Sequence, residues 1–151
     1  MIQKLFNFFK RPLKSEPIEY FTFPTGKSRI IFPRNWKMYA HKKGESTFTF
    51  FNKELDGILY ASELTNKNPE YQYTRNKSLE INSENSPKLV NISKHGAVVY
   101  CKSDESANVT YKHFEIGLNQ TLLQFTWMTP YPNDEKLNKE IELILGSAEI
   151  G

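Results

Sequence analysis

The residues of this 151-residue chain that could do chemistry are few and widely spaced. One cysteine, Cys101, and three histidines, His41, His95 and His113, are its candidates for nucleophile, base or metal ligand. A reactive thiol needs an exposed, electropositive setting. Cys101 instead ends the apolar run Ala97-Val-Val-Tyr-Cys101, where alternation places it with Ala97 and Val99 on a core face. It reads as a buried structural thiol. None of the histidines has an i, i+4 partner, so no metal motif is formed. His95, in a Lys94-His-Gly96 turn, reads as solvent-exposed. If the strands at 97–101 and 108–118 are neighbours, His113 meets Cys101, but a Cys–His pair without an oxyanion site is slight ground for catalysis.

Carboxylates are plentiful, yet Asp56 belongs to a turn, Asp134 and Glu135 to a helix cap, and Glu140 and Glu142 to the solvent face of the last helix. None stands out as a general acid or base. Gly26 in Pro24-Thr-Gly-Lys27 lacks the spaced second glycine and following helix of a phosphate loop. The aromatics of Tyr20-Phe-Thr-Phe23 and Phe48-Thr-Phe-Phe51 have the chemistry to stack nucleic-acid bases, but alternation sends half of them to a core. The sequence therefore predicts no catalytic residue, no cofactor and no metal.

Charge offers a different kind of candidate. Residues 1 to 43 carry ten Lys and Arg against Glu16 and Glu19, a surplus of eight, while the rest of the chain carries ten against fifteen, a deficit of five. Such asymmetry can mark a surface for an anionic membrane or a nucleic acid. Arg34, Lys37, Lys42 and Lys43 are the candidate interaction surface. They are interrupted by Trp36, and nearby Ile30-Ile-Phe32 forms a strand, so their charges are expected to fan over different faces. A lone cysteine excludes an internal disulfide and fits a reducing compartment. With neither a signal-peptide pattern nor an apolar run of ~20 residues, the expected address is the cytoplasm.

The elements that must position these residues follow from periodicity. Met1 to Lys14 reads as a short amphipathic basic segment, with Ile2, Leu5, Phe6 and Phe9 at helical spacing and Pro12 ending it. From residue 15 to 151 one domain is expected. Short strands are predicted at Tyr20 to Phe23, Arg29 to Phe32, Lys37 to Ala40, Ser46 to Phe51 and Ile58 to Thr65, with Asp56-Gly57 as a type I′ hairpin turn. Asn66 to Pro87 is polar and turn-rich, with one weak helical window around Arg75 to Asn85. Lys88 to Ser93 and Ala97 to Cys101 form a hairpin. Asn108 to Leu118 sets Thr110, Lys112, Phe114 and Ile116 on one face against Val109, Tyr111, His113 and Glu115 on the other. A turn at Gly117 to Gln120 leads into the strand Thr121 to Met128. A last helix, N-capped by Asn133 and closed by an αL Gly146, presents Leu137, Ile141, Ile144 and Leu145. Hairpins rather than alternating strands and helices make the class α+β, a single antiparallel sheet of about six to seven strands with helices on one face. Trp36 and Trp127 are expected in its core.

Ile31-Phe-Pro-Arg-Asn-Trp36, then a glycine, an aromatic strand and Gly57-Ile-Leu-Tyr-Ala-Ser62, resemble the opening motif of PsbP-like proteins. Phe125-Thr-Trp-Met-Thr-Pro130 and Ile144-Leu-Gly-Ser147 resemble the end of those chains. The likeness covers nearly the whole sequence and is greatest to a small bacterial family of uncharacterised proteins of about this size. It implies an αβα-layered antiparallel sheet, and binding or assembly rather than catalysis. No functional residue carries over from it. The functional expectation is a non-enzymatic, cytoplasmic protein-binding module, an adaptor or an immunity-type protein that occupies a partner's site. The alternative is a peripheral binder of anionic membrane or nucleic acid, using the basic N-terminal third.

Overall fold

The computed structural model describes residues 14–41 and 43–151. The amphipathic segment expected at residues 1–14 lies, except for Lys14, outside the described residues, as does Lys42. Eight strands form one antiparallel sheet: β1 (Ser15–Pro17), β4 (Trp36–Tyr39), β5 (Thr47–Asn52), β6 (Ile58–Thr65), β7 (Lys88–Ile92), β8 (His95–Asp104), β9 (Val109–Leu118) and β10 (Thr121–Thr129). Their spatial order is β1-β4-β5-β6-β10-β9-β8-β7. β2 (Tyr20–Thr22) and β3 (Arg29–Ile31) pair as a separate ribbon. Among the described residues two α-helices complete the fold, α1 (Arg75–Ile81) and α2 (Glu135–Gly146). The α+β class is as expected, but the main sheet has eight strands rather than six or seven. The strand that sequence reasoning missed is β1, three exposed residues holding Pro17, which a sheet tolerates at its edge.

One face of the sheet is sealed. Phe48, Phe50, Leu59, Phe114, Leu123, Phe125 and Trp127 point to it and join Leu137, Ile141, Ile144 and Leu145 of α2 in a single buried cluster. The β2–β3 ribbon extends the cover, with the Phe21 ring 4.6 Å from that of Phe48 and the Phe32 ring 4.6 Å from that of Phe50. Trp36 and Trp127 are each 1% exposed, with rings 6.3 Å apart, and the Trp36 indole N–H donates to Glu140 Oε1 at 3.0 Å. Glu140 is therefore drawn into the packing of α2 rather than left on its solvent face.

Several local expectations give way to tertiary constraints. Neither Asp56 nor Gly57 has positive φ, and the β5–β6 connection is a longer loop in which the Leu55 N–H donates to the Asn52 carbonyl at 2.9 Å. Gly57 is needed for space, because a Cβ there would lie 2.5 Å from the Trp127 ring. The N-cap of α2 is Asp134, whose carboxylate accepts from the Lys136 and Leu137 N–H groups; Asn133 precedes it. Gly146 is the last helical residue, and the helix closes on Ser147 in an αR conformation. His95 opens β8 instead of sitting in the turn, and its Nε2 donates to the Ala148 carbonyl at 2.6 Å. The two helices also lie on opposite faces of the sheet: α1 reaches the face away from α2 through Ser78 and Asn82, which bond Glu115.

Candidate functional site

On the face away from α2, α1 lies over Val98, Glu115, Gly117 and Leu122, and Ile58, Val109 and Met128 form a second buried cluster with Tyr60 and Tyr111 packed against it. Between α1 and β5, strand register lines up a single cross-strand row. Thr49 opposes Tyr60, Tyr60 opposes Thr126, Thr126 opposes His113, and His113 opposes Tyr100. A second row, Thr47, Ser62, Gln124 and Glu115, runs beside it. Between the two rows lies an open cavity of about 160 Å³. Directly opposed side chains sit ~4.5–5.5 Å apart at Cβ, so such rows behave as continuous surfaces. This surface presents aromatic rings with hydroxyl tips, a ring nitrogen and an amide.

The row is held rigidly. His113 stacks on Tyr100 with ring centroids 4.7 Å apart and an interplanar angle of 22°, and its Nδ1 shares a hydrogen bond with Thr126 Oγ1 at 2.9 Å. Burial, reinforced by the positive charge of Lys102 and opposed by Glu115, holds the His113 pKa below its ordinary value. Its imidazole is neutral at pH 7. Burial, with Tyr111 and Tyr39 nearby, pushes the Tyr60 phenol up to about 12. Burial and then the Glu115 charge raise that of Tyr100. Glu115, 8% exposed, accepts from Ser78 Oγ and from Asn82 Nδ2 (3.1 Å) through Oε1, and from Gln124 Nε2 (3.1 Å) through Oε2. These three donors are neutral. The one ion pair among the described residues, Arg29 with Glu149 at 3.2 Å, is elsewhere on the surface.

The chemistry candidates read from sequence fall differently. β8 and β9 are neighbours, as supposed, but Cys101 opposes Lys112 while His113 opposes Tyr100, which puts thiol and imidazole on opposite faces. Cys101 is also exposed, against the buried thiol expected. It does share the face of Ala97 and Val99, but the strand there has run past the layer that covers them. Among the described residues no His, Cys, Asp and Glu cluster has metal-holding geometry. Of the predicted interaction surface, Arg34 and Lys37 line one groove of about 490 Å³, with Ile18, Ile31, Phe32 and Pro33 and with the acidic Glu19. Lys43, exposed in the β4–β5 connection, does not line it. Sequence reasoning did place Tyr111, His113 and Glu115 on a common face. It missed the row because that depends on which strands are neighbours and in what register.

No protein-family model matches this chain, and no curated protein matches it. Its fold is shared with a crystal structure from Bacteroides thetaiotaomicron VPI-5482, at TM-score 0.68 and 19% identity, covering 90% of this chain. The chain spans about half of that one, 49% of its length. It is also similar, at TM-score 0.49 and 10% identity, to the solution structure of the PsbP protein CyanoP from Synechocystis sp. PCC 6803. That alignment covers 89% of this chain and 93% of the other. Among the described residues, no helix is long and apolar enough to cross a membrane.

Proposed function

We propose that this chain is a non-enzymatic, cytoplasmic protein-binding module, an adaptor or an immunity-type protein, and that it docks its partner on the Tyr60–His113 face of the sheet, away from α2. The observation that carries this reading is the Thr49–Tyr60–Thr126–His113–Tyr100 row, ordered and half-buried while the opposite face is sealed. Tyrosine-rich, fixed side chains around a desolvated centre are what protein interfaces use as anchors. The separation of Cys101 from His113 supports binding over thiol chemistry.

The basic groove supports a second reading, an anionic membrane or nucleic-acid binder, because Arg34 and Lys37 share it. Glu19 in the same groove and the location of Lys43 outside it weigh against this. The test is capture of a partner from native extract at physiological salt by three immobilised proteins: wild type, Thr126→Arg at the centre of the row, and the Arg34→Glu, Lys37→Glu double variant. The reading expects one specific partner, retained by wild type and the charge-reversed protein and lost by a Thr126→Arg protein that still melts as wild type. Retention by Thr126→Arg rejects the docking face. Binding to anionic vesicles or single-stranded DNA that falls steeply from ~50 to 200 mM salt, and vanishes on charge reversal, would establish the second reading instead.

A further inference from the structure

We infer that the cavity between the two rows is a receptor for the cationic tip of a lysine or arginine side chain from the partner protein. The inference rests on the docking reading above and adds the chemistry of its central contact. Glu115 is the reason. Its carboxylate lines the cavity at 8% exposure, and burying a negative charge is costly unless a positive one accompanies it. Ser78, Asn82 and Gln124 satisfy its lone pairs but bring no charge. Lys112, the basic residue beside it on β9, cannot help. Its Nζ lies 5.6 Å from the centroid of the Phe114 ring, and both belong to the other face. Lys102 shares the face of Glu115 but is exposed and no ion pair joins them.

The walls suit a cation as well. Tyr60, Tyr100 and His113 line the cavity, and tyrosine rings attract an ammonium or guanidinium through their electron-rich faces. Thr47, Ser62 and Thr126 supply hydroxyl oxygens that can accept from its N–H groups. A volume of about 160 Å³ admits a side-chain tip and not a folded element. An anion is disfavoured by Glu115, and an apolar plug would strip water from the Thr47 and Ser62 hydroxyls without replacing its hydrogen bonds.

The test is a titration of the full chain, followed by amide NMR, with three blocked amino acids: N-acetyl-arginine methylamide, N-acetyl-lysine methylamide and the neutral N-acetyl-norleucine methylamide. At least one cationic probe should bind saturably, shifting Tyr100, His113, Glu115, Gln124 and Thr126, and at least tenfold more tightly than norleucine. Glu115→Gln should weaken it tenfold or more. Because Glu115 also anchors α1, Tyr100→Leu is the second variant; it removes a cavity wall and leaves the Ser78 and Asn82 bonds in place, and it too should weaken the cation. Equal binding of norleucine, or undiminished binding by both folded variants, overturns the inference. So does tenfold tighter binding of the free amino acids, which would mark a metabolite site. Failure of every probe, with Thr126→Arg still losing its protein partner, would sink the cation and leave the docking face standing.

Discussion

Gly57 is where the chain has least room. A Cβ there would meet the Trp127 ring at 2.5 Å and the Met128 carbonyl oxygen at 2.6 Å, so Gly57→Ala should overpack the core and cost ~1–3 kcal/mol in urea denaturation. Wild-type stability would show that the strands can separate to admit a methyl. Tyr60 makes a prediction of the opposite kind, one about protons. Its phenol ionises near 12 in the fold, against an ordinary 10.0 that the unfolded chain adopts. The unfolded state therefore gives up this proton first, and the stability Tyr60 contributes is complete below pH 10, then lost as pH rises toward 12. Absorbance titration should show a tyrosine ionising last, and Tyr60→Phe should remove that step and flatten the alkaline loss. At the acid side His113 faces Tyr100 and Lys102 of β8, Glu115 and Tyr111 of its own strand, Thr126 of β10 and Tyr60 of β6. Since its folded pKa is lowered, the unfolded chain protonates first as pH falls below 6.5, and the fold loses stability down to the folded pKa and no further. His113→Gln should abolish that acid slope, read from denaturation midpoints between pH 7 and 4. An unchanged slope would mean that other groups produce it.

At the scale of elements, α2 is a helix that sealing residues and a cap define together. Asp134 supplies the cap through the Lys136 and Leu137 N–H groups at 3.0 and 3.2 Å, so Asp134→Ala should cost ~0.5–2 kcal/mol, whereas Asn133→Ala should be nearly neutral. The reverse order would restore the sequence reading. Both residues are good caps, and one position of register decided between them; nothing local in the sequence could. What was legible was whatever repeats along one element. The alternation of β10 and the i, i+4, i+7 stripe of α2 placed Phe125, Trp127 and Ile141 in the core, where they are, and the alternation of β9 put Phe114 and Ile116 on one face, which is the buried one. What was not legible depends on neighbours. Asp56-Gly57 is a strong turn signal in isolation, yet that glycine exists to pass Trp127. Cys101 continues an apolar alternation, yet the cover stops before it. The candidate site has the same property: Tyr60, Thr126, His113 and Tyr100 come from four strands, and only the order β6-β10-β9-β8 makes them a row.

At the scale of the molecule, the buried cluster is built along nearly the whole described chain. The sealed face and its ribbon draw on described residues from Ile18 to Ile150. β1, by contrast, is three exposed residues on the outer edge, joined to the sheet by its ladder with β4 and, just before it, by the Lys14 carbonyl accepting from the Ala40 N–H. Deleting residues 1–13 leaves those contacts in place and removes Lys4, Lys10 and Arg11 with no acidic residue, taking the formal net charge from +3 to zero. The expected outcome is a division of effects. Stability in urea should stay within ~0.5 kcal/mol of wild type, the range of changes away from a core. Solubility near neutral pH should fall, because a protein without net charge loses the repulsion that keeps its copies apart. Light scattering against concentration reads the second effect and urea denaturation the first. A loss of several kcal/mol on truncation would mean that residues 1–13 complete the core, and would reassign them from the protein's charge to its fold.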